Sequence, residues 1–533
     1  MGPGPAARTP RSPTGRARRR PRPEGRDRCA EVERLMSTAV PVRRTSKRSR
    51  ALALAALVLA VGGVAFAARL SIMVRGGGIS GLGAYDDGVY YAAADALVHG
   101  RLPYRDFLFL QPPLIAVVTA PFAWLGTLVG DPTGFKIARL AYMLLGACNA
   151  VLVAGVLRRW GWTAALVGGF GYAVFHPAIY SERSVLLEPL GTCAVLVATL
   201  LLEHAERHPR LALLAGVAAG LGVGAKIWYL VPALVLILMA HRRRLRYLLG
   251  LALGGCAIFL PFFLPAPARM WQQVVLNQLG RGGAPGTPGA RRRVFDLLGA
   301  ERTAGIPTTA FAIGLGVVAL VAVVVVLRTR GARTFAVLLV ATSAVLLAAP
   351  SWFSHYEALT APPLALCIGV ATGRLAALVP GPVAKTALVV VVVACVLGTN
   401  LKNDLTPYGR RIPPGLDRAA AVVPGCITGD DPGTLISMDV LSRNLRDPSC
   451  TVWPDVTGWT YDPRDFARAP DGEVLDRKLN TRWQRDLVAF MTSGDAAIRT
   501  RGATGWSEDS KRVIDSGRVL FRLGRYVVHE TRR

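Results

Sequence analysis

Charge is scarce in this chain of 533 residues: only 18% are charged, against 52% hydrophobic, and 34 acidic residues stand against 63 lysines and arginines. A chain so poor in charge and so rich in apolar runs is excluded from the ordinary soluble globules. Cysteine is sparse too. Six of the eight lie in the N-terminal segment or in apolar runs, where single buried thiols are unremarkable, leaving Cys426 and Cys450 as the one pair in a polar region. No small-residue cleavage site clearly follows the first long apolar run, which argues against a removed signal peptide. No internal repeat stands out, which argues against the repeat-built architecture of many transporters.

What is abundant is hydrophobic length. Runs such as 51–70, 311–327 and 386–397 approach the roughly 20 apolar residues needed to cross a bilayer. Twelve apolar segments follow one another, approximately 51–72, 112–130, 137–157, 162–180, 184–203, 210–225, 227–240, 245–265, 306–327, 333–350, 357–375 and 383–400. The net charge of +29 invites a nucleic-acid reading, yet the arginines gather in the N-terminal segment and in short loops between apolar runs. That is the positive-inside pattern of a polytopic membrane protein, and no nucleic-acid partner is expected.

Sidedness follows from the loops. Arg158-Arg159, Arg207 with Arg210, Arg242 to Arg244 with Arg246, Arg328 with Arg330 and Arg333, and Arg374 with Lys385 are all cytoplasmic only if 112–130 does not cross. Pro112-Pro113 and Pro121 suit a broken, interfacial or re-entrant segment there. About eleven spans result, with the N-terminus cytoplasmic and the C-terminus outside. Residues 1–49, rich in Arg and Pro, read as a disordered basic tail in which Met36 is a second candidate start. Residues 50–400 form the transmembrane domain, and 401–533, polar and without a candidate span, a soluble α/β domain on the outer side. There the pattern predicts a strand at 433–438, helices over 481–492 and 507–515, and a closing hairpin over 519–529. An outer location would permit a Cys426–Cys450 disulfide, with free thiols as the alternative.

The chemistry centres on Asp86-Asp87, placed just after the first span. Ionised carboxylates near hydrocarbon must be compensated by water, a cation or a positive partner. One of the two can simply cap a helix, but capping scarcely explains both. Adjacent helical residues point about 100° apart, so the two carboxylates have different jobs.

The motifs Asp86-Asp87-Gly88-Val89-Tyr90, Leu102 to Phe107 followed by Gln111-Pro112-Pro113-Leu114, Glu182 with Glu188-Pro189, Gly220 to Lys226, and His355-Tyr356 ahead of Pro362-Pro363 occur in a telling order. Over roughly residues 50–400 the chain resembles the GT-C superfamily of polyprenyl-phosphate-sugar-dependent glycosyltransferases. The aminoarabinose-transferase and protein-mannosyltransferase-like branch is the most similar. Relatives often carry Lys before the Pro-Pro, where this chain has Gln111.

The resemblance implies transfer of a sugar from a lipid-phosphate donor to a cell-envelope acceptor at the outer face of the cell membrane. Asp86 or Asp87 would deprotonate or orient the acceptor hydroxyl, or hold a divalent cation such as Mg or Mn, with Asp87 as the metal ligand. Lys226 would bind the donor phosphate, the alternative being a lysine that snorkels to the interface. Arg105 and, on a loop over 266–305, Arg281 with Arg291 to Arg293 would assist; lone loop arginines are more often only solvated, and basic loops also attract anionic lipid. Glu182 or Glu188 would form a second acidic motif facing the Asp pair, against plain pairing with Arg183. Gln278, His355 and Tyr356 would touch sugar or headgroup, though interfacial His and Tyr are common anchors. Two other classes stay open: a polytopic transporter, and a non-catalytic scaffold of envelope assembly.

Overall fold

The computed structural model describes residues 47–280, 288–300, 308–405, 407–472 and 474–531. By compactness the chain divides into Met1–Ala55 and Ala56–Arg533, and the features below belong to the second unit, apart from the start of the first helix.

Helices dominate, as the long apolar runs require. Eight of them position the site: α1 (Lys47–Gly76), α2 (Tyr85–Val98), α3 (Leu114–Val129), α4 (Asp131–Leu157), α5 (His176–Glu182), α6 (Glu188–His204), α7 (Arg210–Ala225) and α8 (Arg244–Phe263). Among the described residues five helical stretches are long and apolar enough to cross a membrane: Ala51–Gly76, Asp131–Trp160, Ile227–Phe263, Ala361–Leu378 and Pro382–Asn400. The third is interrupted at His241, whose φ of 39° lies where the basic loop 241–244 was expected. The protein is therefore a helical membrane protein, while the count of eleven crossings goes beyond these five. Helix α3 starts directly after Pro112-Pro113 and keeps Pro121 inside it. Its 16 residues span about 24 Å, short of the roughly 30 Å hydrocarbon core. Close helix packing comes from small residues. Gly220 of α7 lies so near α8 that a Cβ on it would stand 2.4 Å from the Leu251 carbonyl oxygen.

Three apolar cores hold the unit together. One fills the bundle around Val61, Ala154, Leu157, Tyr172 and Leu196. A small one, around Trp483, Leu487, Met491, Trp506 and Ile514, belongs to the C-terminal region. The third joins the two parts, since Tyr91 and Ala93 of α2 pack in one cluster with Ile427, Ile436, Leu441 and Val528. The C-terminal region carries a four-stranded sheet of strands β1 (Ile427–Gly429), β2 (Ala496–Ile498), β3 (Val519–Leu523) and β4 (Tyr526–Glu530) in the order β1-β2-β4-β3. β1 and β2 run parallel, with Ile427 opposite Ala496; β4 is antiparallel to both its neighbours.

Two expected helices appear at Thr481–Met491 and Glu508–Asp515, capped by Asn480 and Ser507 side chains that accept from the Trp483 and Ser510 amides. The expected strand at 433–438 is instead helix α9 (Pro432–Ser437). A short apolar run does not distinguish strand from helix, and the decisive signal was Pro432, pre-set for the first helical turn. The strand lies just upstream, at Ile427–Gly429. Cys426 and Cys450 are joined as a disulfide.

Candidate functional site

Helix α2 assigns three consecutive residues to three surroundings, as the 100° step between helical neighbours demands. Asp86 points into a cavity of about 740 Å³. Asp87 turns the other way and is buried: its Oδ2 accepts from Arg139 Nη2 at 2.6 Å and from Ser184 Oγ at 2.5 Å. Gly88 meets the C-terminal region, where any Cβ would stand 2.7 Å from the Gly433 amide nitrogen of α9. The sequence Asp-Asp-Gly is thus a cavity acid, a buried ion pair and a docking point.

Several separate parts of the chain wall the cavity. Tyr85, Asp86 and Tyr90 come from α2 and Gln111 from the following loop; Arg292 belongs to the helix Ala290–Leu297. Trp352, Phe353, His355 and Tyr356 form an aromatic edge, and Asp455, Thr457, Tyr461, Arg477 and Arg501 come from the C-terminal region. His355 Nε2 lies 4.0 Å from Asp86 Oδ2. Enclosure raises the Asp86 carboxyl above the ordinary carboxylate range; the charge of His355 pulls it back, and that of Asp455 pushes it further up. A carboxyl so placed is open to ligand, with 37% of its side chain exposed, and more basic than an ordinary carboxylate.

The expected phosphate-binding lysine is close by but occupied. Lys226 Nζ sits 2.6 Å from Glu188 Oε1 and 4.0 Å from the Tyr356 ring, so the pair stands behind a ring that lines the cavity. Glu182 does not join it. It is buried in an ion pair with Arg69 of α1 and accepts from Asn149 Nδ2 at 2.7 Å and from the Tyr172 hydroxyl at 2.8 Å. The alternative pairing with Arg183 is also not the one found, since the Arg183 guanidinium stacks 3.6 Å from the Tyr180 ring.

Arg105 lies outside the cavity. It is ion-paired to Asp106 at 2.7 Å and borders a separate groove of about 680 Å³ with Arg269, Trp459 and Arg464. Gln278 also faces elsewhere: its Nε2 donates to the Leu110 carbonyl at 2.7 Å, which braces the loop leading to Gln111. Arg281 falls outside the described residues. His355 and Tyr356 both line the cavity.

A divalent cation of the Mg or Mn type needs several converging oxygens. The Asp86 and Asp87 carboxylates diverge, and Asp87 is committed to a guanidinium, so the pair does not offer such a set. Among the described residues, the one group of His, Cys and acid atoms close enough to share an ion is Cys426, Asp447 and Cys450, whose two sulfurs are bonded to each other.

Two arginines central to this architecture, Arg69 and Arg139, were legible in retrospect. Each lies inside or beside an apolar run, where a guanidinium needs a buried partner. Asp455, Arg477 and Arg501 gave no such signal.

This arrangement of a helical membrane bundle, a carboxylate-bearing helix beside it and a capping α/β region is the fold of the GT-C glycosyltransferases. Residues 109–350 match the sequence profile of glycosyltransferase family 87. The chain is similar to the crystal structure of ArnT from Cupriavidus metallidurans bound to undecaprenyl phosphate, at 17% identity and a TM-score of 0.58, covering 91% of this chain and 99% of that one. The apo form of the same protein gives 18% identity and a TM-score of 0.57 with the same coverage. No curated protein sequence matches the chain.

Proposed function

We propose that this protein is a membrane glycosyltransferase that moves one sugar, a hexose or a pentose, from a polyprenyl-phosphate carrier to a cell-envelope acceptor on the non-cytoplasmic side. The observation that carries the reading is Asp86: a cavity-facing carboxylate, beside an imidazole and near arginines and aromatics, in a fold shared with a protein solved with undecaprenyl phosphate bound. In the reaction the acceptor oxygen forms a bond to the anomeric carbon, and the bond from that carbon to the phosphate oxygen breaks. The hydroxyl proton passes to Asp86, and the electron pair leaves with the polyprenyl phosphate. Asp86 is the general base. Arg292 borders the space into which the phosphate charge departs, where a fixed cation stabilises it. Lys226 supports that charge from behind Tyr356 while neutralising Glu188. The aromatic edge Trp352 to Tyr356 offers faces for the sugar and the first isoprene unit.

Proteoliposomes holding the purified protein, given radiolabelled polyprenyl-phosphate sugar and an envelope extract, should yield labelled acceptor. Uptake or counterflow of solute without any product would replace the reading by transport, and neither activity would favour a scaffold.

The base assignment has a pH signature. Because Asp86 titrates above the usual value of about 3.9, transfer should be lost on acidification well before an exposed carboxylate protonates. His355→Gln removes the charge that lowers Asp86, so the acid limb of the kcat/KM profile should move to higher pH. A limb that stays in place, or moves down, would dissociate His355 from the base.

A further inference from the structure

The C-terminal region supplies a whole wall of the cavity, and one acid on it is tied to the residue next to the proposed base. Tyr85, which precedes Asp86 in the chain, donates its hydroxyl to Asp455 Oδ1 at 3.1 Å and accepts from the Thr457 amide at 2.9 Å. The same Oδ1 accepts from the Gly458 amide at 2.8 Å. Gly458 has no room for a side chain, since a Cβ would stand 2.3 Å from Asp455 Oδ2. The Arg501 guanidinium lies over Tyr85, 4.3 Å from the centre of its ring. Loop, tyrosine and arginine together fix a carboxylate at the cavity wall near Asp86.

We propose that Asp455, held by Tyr85 and the Gly458 turn, anchors the hydroxyl-bearing acceptor, so that the C-terminal region builds the acceptor subsite. The inference rests on the glycosyl-transfer reading. Two features assign this wall to the acceptor and not to the donor. A lipid-linked donor keeps its tail in the bilayer and must approach from the bundle, where the aromatic edge at 352–356 and the Lys226–Glu188 pair stand. A carboxylate repels a departing phosphate but accepts hydrogen bonds from neutral hydroxyls, and Tyr461 beside it offers a ring face to a sugar. The ligand class is therefore a polyhydroxylated, sugar-ended acceptor without an anionic group at the contacted end.

The test separates transfer from hydrolysis. In proteoliposomes, radiolabelled polyprenyl-phosphate mannose and polyprenyl-phosphate arabinose are the donors and a total envelope extract the acceptor, with release of free sugar to water measured alongside. In folded Asp455→Asn and Gly458→Ala proteins, the transfer-to-hydrolysis ratio should fall by roughly tenfold or more, the loss of a hydrogen bond to a charged group. The half-saturating extract concentration should rise, while that of the donor stays within about twofold; Asp455→Glu should recover part of the ratio. An active wild type with an unchanged ratio and unchanged extract dependence in Asp455→Asn overturns the acceptor assignment alone. A weakened donor dependence instead would assign the wall to the donor and overturn it as well. A wild type that neither transfers nor hydrolyses either donor overturns the glycosyl-transfer reading together with this one.

Discussion

Asp86→Asn is expected to reduce sugar transfer by about 10²–10⁴-fold, the range for loss of a general base, while the purified protein melts at the wild-type temperature. The two halves of this expectation have separate physical origins. Asn has nearly the shape of Asp and keeps a hydrogen-bonding oxygen, but it has no lone pair basic enough to take the proton of an attacking hydroxyl. Folding is indifferent because Asp86 makes no close hydrogen bond among the described residues: its side chain is 37% exposed in the cavity, and His355 stands at 4.0 Å, beyond hydrogen-bond distance. Enclosure already taxes the ionised form of this carboxyl, so a neutral amide removes a small strain from the resting protein. The measurement is initial-rate transfer from labelled lipid-phosphate sugar, paired with a thermal melt in the same detergent. An unchanged rate would end the base assignment. A lost rate accompanied by a lowered melting temperature would show that Asp86 serves the fold.

The sequence made the bundle legible because bilayer thickness imposes a long, unmistakable period on composition. It made the motif order legible too, and with it the acid at 86. What it could not convey was partnership. Asp86 and Asp87 are alike on paper, and only the position of Arg139, some fifty residues on in the chain but 2.6 Å from Asp87 in the fold, decides which of them is free to meet a ligand. Glu182 and Glu188 posed the same problem: Arg69 claims one and Lys226 the other, although Arg183 is adjacent in sequence. Gln278 looked like a sugar contact because amides often are, yet a backbone carbonyl at Leu110 satisfies it. The acids and cations of the C-terminal wall were invisible for another reason. A soluble loop tolerates charge anywhere, so Asp455 or Arg501 carries none of the cost that marks a charge inside an apolar run.

Asp87→Ala should behave in the opposite way to Asp86→Asn, as a folding defect of about 3–5 kcal/mol, the typical cost of breaking a buried ion pair by removing one partner. The Arg139 guanidinium is fully buried; it donates to Asp87 and also to the carbonyls of Ile79 at 2.6 Å and Gly81 at 2.8 Å, with the Phe135 ring 3.9 Å away. Through these bonds one arginine on α4 clamps the stretch 79–81 and the first turn of α2, the two pieces that aim Asp86 into the cavity. Without the carboxylate, Arg139 keeps its charge but loses its only close anion among the described residues, and Ser184 loses its acceptor. Asp87→Asn should cost less, because an amide oxygen still receives Ser184 and Arg139. The double variant Asp87→Ala/Arg139→Leu should regain part of the stability lost by Asp87→Ala, since the uncompensated charge is then gone. Thermal unfolding, together with the monodisperse fraction after detergent extraction, reads all three. Transfer will fall in Asp87→Ala as well, which is why activity alone would misassign this residue to catalysis. If Asp87→Ala is inactive yet as stable as wild type, Asp87 belongs to the chemistry and Arg139 is there to tune it.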